Sequence, residues 1–127
     1  MRYFSEEHQW VELDDSGVGT IGITSYAIDE LGNITFVELP TPGAALTQGE
    51  VMCVVESAKA ASDVLAPVSG TVSEVNAELD AKPEILNASP EAQGWICRIE
   101  DVDTEELDSL MTESRYETFL SSEEDED

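Results

Sequence analysis

Basic residues are nearly missing from this sequence. Five Lys and Arg stand against 29 Asp and Glu in 127 residues, a formal net charge of −24. Nucleic acid is therefore an improbable partner, because phosphate contacts need clustered Lys and Arg. An anionic membrane surface is disfavoured on the same ground. Cysteine is scarce too: Cys53 and Cys97 form no CxxC pair, and His8 is the sole histidine. A zinc site needs more ligands than that, so both cysteines read as small buried hydrophobes. Long apolar runs are absent, so no helix is expected to span a bilayer. The first residues, Met1-Arg2-Tyr3-Phe4-Ser5-Glu6-Glu7, carry acids where a signal peptide would carry an apolar stretch. Neither a signal nor a transit peptide is expected, and the expected location is cytoplasmic.

What is present is a patterned chain. Apolar residues make up 41% of it, enough for one core at this length. The acidity fits a disordered chain or a folded one suited to a salty cytoplasm, and the apolar patterning favours the second. At molar salt the Debye length is about 3 Å, so repulsion between surface acids is heavily screened.

Trp10–Leu13 has the apolar bias of a strand, and Asp14-Asp15-Ser16-Gly17 is a turn. Val18–Ile23 alternates glycine with β-branched residues, which suggests a backbone or a large ring lying close to it. Thr24–Gly32 reads as a short helix with a Thr/Ser start and a Gly stop. Asn33–Leu39, Val51–Glu56, Asp63–Ala66, Thr71–Val75 and Gly94–Ile99 read as further strands, with Pro83–Pro90 a loop. In 103–120 the apolar period turns helical through Leu107, Leu110, Met111, Phe119 and Leu120, and Asp103 with Glu106 resembles a capping box. Residues 1–120 thus form one domain, followed by an acidic flexible tail over 121–127. About seven short strands and a helix suggest a sandwich or barrel. Trp10 and Trp95 are expected in the core. His8 has no nucleophile beside it in sequence and is expected to be structural.

Lys59 stands out, because only Lys82 shares its residue type. It sits in a tip of small residues, Ser57-Ala58-Lys59-Ala60-Ala61-Ser62, between two strand-like runs. Such a tip lets a modifying enzyme reach the amine. Glu56 and Asp63 bracket it and favour the charged amine before modification.

These residues carry a resemblance. Val55-Glu56-Ser57-Ala58-Lys59-Ala60-Ala61-Ser62-Asp63, then Ala66-Pro67-Val68-Ser69-Gly70, is similar to the lipoylation region of the glycine cleavage system H protein family. His8-Gln9-Trp10-Val11, Ile21-Gly22-Ile23-Thr24, Leu31-Gly32, Phe36-Val37-Glu38-Leu39-Pro40, Val75-Asn76, Pro83, Asn87, Pro90 and Gly94-Trp95 continue it in register over residues 3–120.

The resemblance implies a mainly β fold, a lipoyl/biotinyl-type barrel-sandwich hybrid with a short helix near 25–31 and a C-terminal helix. It implies lipoate covalently attached to Lys59 by a lipoylating enzyme, and a carrier rather than an enzyme. The implied partners are a pyridoxal-phosphate glycine decarboxylase that loads an aminomethyl group, a tetrahydrofolate-dependent aminomethyltransferase that takes the one-carbon unit, and dihydrolipoamide dehydrogenase. It places Glu7, Gln9 and Asp63 at a cleft that shelters the loaded adduct. The extended lysine–lipoyl arm would reach roughly 14 Å by counting bonds.

Three departures stand out. Gln9 replaces the usual Glu, Ala58 the commoner Val, and Glu91-Ala92 a stretch that usually contains an aromatic. Other readings are a lipoyl relay protein serving other enzymes, a biotinyl or 2-oxoacid dehydrogenase lipoyl domain, an unmodified interaction module, and a thiol oxidoreductase using Cys53 and Cys97. Methionines beside the lysine would mark the biotinyl domain, and an Asp-Lys-Ala tip in a longer chain the lipoyl domain. The oxidoreductase alone would keep its activity in Lys59→Ala.

The charge balance generates a first prediction. The melting temperature is expected to rise between dilute buffer and molar KCl; an unchanged value would remove the argument from salt.

Overall fold

A computed structural model describes the backbone of residues 2–125 and the side chains of residues 2–121. Among the described residues the order is β1 (Arg2–Phe4), β2 (Gln9–Leu13), β3 (Gly19–Ile23), α1 (Ser25–Leu31), β4 (Ile34–Glu38), β5 (Ala45–Leu46), β6 (Val51–Ser57), β7 (Ala61–Leu65), β8 (Gly70–Val75), α2 (Glu78–Ala81), α3 (Ile85–Ala88), β9 (Cys97–Glu100), a 3-10 turn (Thr104–Ser109) and α4 (Glu113–Asp125). The strands form two antiparallel sheets, β1-β2-β3-β9-β8-β5 and β4-β6-β7, not closed into a barrel. The expected mainly β class with helices is what the structure has.

One apolar cluster draws on both sheets: Val11, Ile21, Ile23, Ile99 and Val72 from the larger, Val37, Val55 and Val64 from the smaller. Each such side chain contributes about 1.5–3 kcal/mol when fully buried. Cys53 and Cys97 are buried free thiols in this core, as expected, with Cys97 Sγ 3.8 Å from Met52 Sδ. Burial pushes the Cys97 thiol up to about 12 and raises that of Cys53 further. Neither forms a useful thiolate near neutral pH, which leaves the oxidoreductase reading without a nucleophile.

Of the β3 glycines, Gly22 meets the large ring that the pattern suggests, whereas Gly19 faces the aliphatic side chains of Ile99, Val11 and Leu13. A Cβ on Gly22 would lie 2.7 Å from the Trp10 ring, which is 2% exposed. The indole N–H donates to the carbonyls of Ile23 (3.1 Å) and Pro90 (3.2 Å), joining β3 to the loop before β9. Trp95, also expected in the core, is only half-buried and lies under Arg98, whose guanidinium carbon is 4.2 Å from a ring centroid.

A second cluster of Phe4, Trp10 and Tyr116 seats α4 on the larger sheet. Tyr116 stacks on Phe4 with centroids 4.6 Å apart, and Phe4 and Met111 exchange backbone hydrogen bonds of 2.8 and 2.7 Å. The single helical stretch expected over 103–120 is therefore broken. Asp103 caps a 3-10 turn by accepting from Glu105 N–H, Met111 bridges in extended form, and α4 starts afresh. The expected capping box does not close, because the Glu106 carboxylate accepts from the N–H (2.6 Å) and hydroxyl (2.9 Å) of Ser69 instead. The expected loop over 83–90 contains α3, and α2 precedes it. Helix α4 runs on through Asp125; the last two residues of the acidic tail, 126–127, lie outside the described residues.

Gly22→Ala is expected to destabilise the protein by about 1–3 kcal/mol through overpacking against Trp10. A denaturant midpoint equal to the parent's would show that the ring can move aside.

Candidate functional site

Strands β6 and β7 form a hairpin whose register runs Val54↔Asp63, Val55↔Ser62 and Glu56↔Ala61. Three residues, Ala58–Ala60, close it, and Lys59 is the middle one. The Ser57 hydroxyl organises the tip. It accepts from the N–H of Lys59 (3.2 Å) and of Ala60 (3.3 Å) and donates to the Ala60 carbonyl (3.1 Å). Ser57 N–H donates to that carbonyl as well, at 2.8 Å. A serine here supplies locally what a two-residue turn would supply by backbone geometry. Lys59 is exposed, and no ion pair holds it among the described residues.

The tip leans on a corner of the chain. Ala58 N–H donates to the Asn33 carbonyl at 3.0 Å. Gly32, between α1 and β4, has φ 82° and ψ −147°, a conformation almost confined to glycine. Asn87 on α3 fixes both sides of it, donating to the Gly32 carbonyl and accepting from Ile34 N–H, each at 2.9 Å. Lys59 Cε lies 3.7 Å from where a Cβ on Gly32 would stand, so the lysine stem lies along the end of α1.

Beside this corner opens a cleft of about 170 Å³. Its apolar lining is Ile23, Ala27, Leu31 and Val64; its polar lining is Glu7, His8, Gln9, Glu30, Ser62 and Asp63. The three cleft residues expected from sequence, Glu7, Gln9 and Asp63, thus share one cavity. Gln9 is turned inward and 4% exposed. Its amide oxygen accepts from the Ser5 hydroxyl at 2.5 Å, and its amide nitrogen donates to the Glu7 carbonyl at 2.9 Å. It braces the Ser5–Gln9 turn, whose backbone reaches φ 69° at His8. Glu7 and Asp63 keep exposed carboxylates.

The wall of the cleft is tied to the C-terminal helix. The Tyr116 hydroxyl lies 2.8 Å from His8 Nδ1 and 2.8 Å from the Thr24 hydroxyl, while Thr24 caps α1 by accepting from Ala27 N–H. His8 also packs against Tyr26, with centroids 4.4 Å apart. Its expected structural role is visible in these contacts. Glu91, the departure in the loop after Pro90, accepts from Ser25 N–H at 2.9 Å and pairs with Arg2 at 3.5 Å. A carboxylate at the first turn of α1 is favourably placed against the helix dipole.

Sequence reasoning missed the roles of Ser57 and Tyr116. A serine two residues before the lysine carried a usable signal, since Ser side chains bond the backbone two or three residues on. Tyr116 carried none, because its partners His8, Thr24 and Phe4 come from a distant part of the chain. Among the described residues no group of three His, Cys, Asp or Glu is placed to hold a metal ion, and no helix is long and apolar enough to cross a membrane.

Known proteins share the family and the fold. Residues 2–123 match the family model described as Glycine cleavage H-protein. The glycine cleavage system H protein of Caulobacter vibrioides is 50% identical over 119 residues, covering 94% of this chain and 98% of that one. That of Thermotoga maritima is 42% identical over 123 residues, covering 97% and 98%. The crystal structure of a glycine cleavage system H protein from Mycobacterium marinum superposes with a TM-score of 0.84 at 31% identity, covering 94% of this chain and 96% of that one.

Ser57→Ala is expected to cost less than about 1 kcal/mol in global stability, because the tip is exposed. Amide exchange at Lys59 and Ala60 should nevertheless speed up. Unchanged protection at both would mean that the backbone alone holds the tip.

Proposed function

Because the chain belongs to the glycine cleavage H-protein family, we propose that Lys59 carries a lipoyl group in amide linkage and that the protein shuttles it between enzymes. The observation that carries this reading is Lys59 itself, at the middle of a braced three-residue tip with its stem along the rim of a cleft. The residues present fit the group. The tip offers an accessible amine, and the cleft beside it offers the apolar side chains of Ile23, Ala27, Leu31 and Val64. When bound, lipoate supplies a dithiolane that takes up two electrons and a one-carbon amine.

The chain's own residues do the rest. Ser57 and the Ala58–Asn33 bond fix the point from which the arm swings. Ile23, Ala27, Leu31 and Val64 offer a surface that excludes water from the arm's end. Asp63 and Glu7 present carboxylates to the ammonium of the cargo, a charge-assisted contact. Gln9 does not serve as an ion partner; it holds the turn that presents Glu7. The partners proposed are the glycine decarboxylase, the aminomethyltransferase, dihydrolipoamide dehydrogenase and a lipoylating enzyme. The protein itself supplies no catalytic group.

Intact mass of protein from its native host, followed by peptide mapping, tests this. A lipoyl-sized increment confined to the Lys59 peptide, together with loss of glycine-dependent CO2 exchange in Lys59→Ala, is the expected outcome. An unmodified Lys59 in cells that make lipoate would overturn it.

A further inference from the structure

The outer face of the larger sheet carries a row of charges. Its inner face gives Val11, Ile21 and Ile99 to the core, so their chain neighbours Glu12, Thr20 and Arg98 point outward. Strand pairing sets Arg2 beside Glu12, Glu12 beside Thr20, Thr20 beside Arg98 and Arg98 beside Glu74. The row crosses β1, β2, β3, β9 and β8 and spans about 19 Å, four strand spacings. It holds two of the three arginines of the chain. Arg2 pairs with Glu12 at 3.2 Å and Arg98 with Glu74 at 2.9 Å. Each guanidinium is steadied on a tryptophan, Arg2 over Trp10 and Arg98 over Trp95, with its central carbon 4.2 Å from a ring centroid. Helix α4 covers the Phe4 and Trp10 end of this face; the row itself stays open, with Glu12 and Glu74 exposed.

Read across the sheet, the row is positive, negative, neutral, positive, negative. Turned end for end about Thr20, it has the opposite charge at every charged place. A two-fold axis through Thr20 therefore brings Arg2 opposite Glu74 of a second copy and Glu12 opposite Arg98 of that copy, which is the self-complementarity a symmetric dimer needs. A net charge of −24 opposes self-association in dilute buffer. At molar salt the Debye length is about 3 Å, so charges in contact decide, and on this row they match.

We propose that this face joins two copies of the chain into a symmetric dimer at high salt. The contact belongs to the small, weak class of interfaces. A hollow of about 470 Å³ between Trp10 and Trp95, lined also by Thr20, Glu91 and Gln93, leaves room for bridging water between the copies. Lys59 stands on the hairpin of the smaller sheet, so both lysines stay accessible in the dimer. The dimer does not depend on lipoylation.

Sedimentation equilibrium of the full-length chain in molar KCl, up to millimolar concentration, tests this. The parent is expected to dimerise reversibly. Arg98→Glu sets acid against acid across the axis, and Glu12→Arg sets base against base. Each alone is expected to dimerise at least about tenfold more weakly, as like charges in contact demand. An equimolar mixture of the two variants restores both pairings and should associate nearly as the parent does. Glu105→Arg, an equal change of net charge at an exposed position outside the row, should leave dimerisation unchanged. A parent that stays monomeric overturns the proposal. So do single variants that dimerise like the parent, which would put the contact on another face, and a mixture that stays monomeric, which would mean that the variants fail for reasons other than the pairing across the axis.

Discussion

The site depends on one backbone corner. Between α1 and β4 the chain takes a conformation that side chains resist, and Gly32 is there to take it. Asn87 spans the corner with a donor on one side and an acceptor on the other, so neither polar group of the turn is left unpaired. That places Asn33 where its carbonyl receives Ala58, which locates the hairpin tip, and leaves Gly32 bare so that the lysine stem can lie against it. A side chain at Gly32 would strain the turn and crowd the stem together. The one-turn helix α3 that carries Asn87 is thus part of the site while contributing nothing to the cleft lining.

A second level of support comes from far along the chain. Tyr116 reaches back from α4 to His8 on one wall of the cleft and to Thr24 at the start of the other. The aromatic stack with Phe4 fixes the ring, and the paired bonds between Phe4 and Met111 fix the approach of the helix. The end of the chain therefore sets the spacing of cleft walls built near its beginning. Glu91 makes a similar link, bonding Ser25 and Arg2 at once. In a chain this acidic, such a carboxylate is useful because it meets a helix N-terminus and one of the few arginines.

How much of this was legible in the sequence follows from segment length. Strands of five residues or more carried alternation, and β2, β3, β4, β6, β7 and β8 lie within a few residues of the expected spans. Strand β9 starts at Cys97 because Gly94–Ile96 is still loop, with Ile96 bonded to Ile21 outside the strand. Strands β1 and β5, of three and two residues, and helices α2 and α3, of four each, are too short to show a period. The break at Met111 was hidden for another reason: its apolar neighbours fit a helical face whether or not the helix is continuous, and the pairing that breaks it is with Phe4, more than a hundred residues away. At the site, the lysine and its small neighbours were plain in sequence, whereas the inward turn of Gln9 depends on Ser5 and the Glu7 carbonyl and has no sequence signature.

The fixed base of Lys59 has a consequence for binding equilibria. With the pivot held by Ser57, an arm attached there, as proposed, would meet the cleft as an intramolecular partner, at an effective concentration of millimolar order or above. An enzyme in solution at micromolar concentration competes poorly against that on proximity alone. To draw such an arm out, it would have to contribute binding energy of its own at the protein surface, so docking and release of the arm would be thermodynamically linked. A looser tip would dilute the arm's end away from its own cleft and weaken that linkage, leaving the cargo less sheltered between encounters.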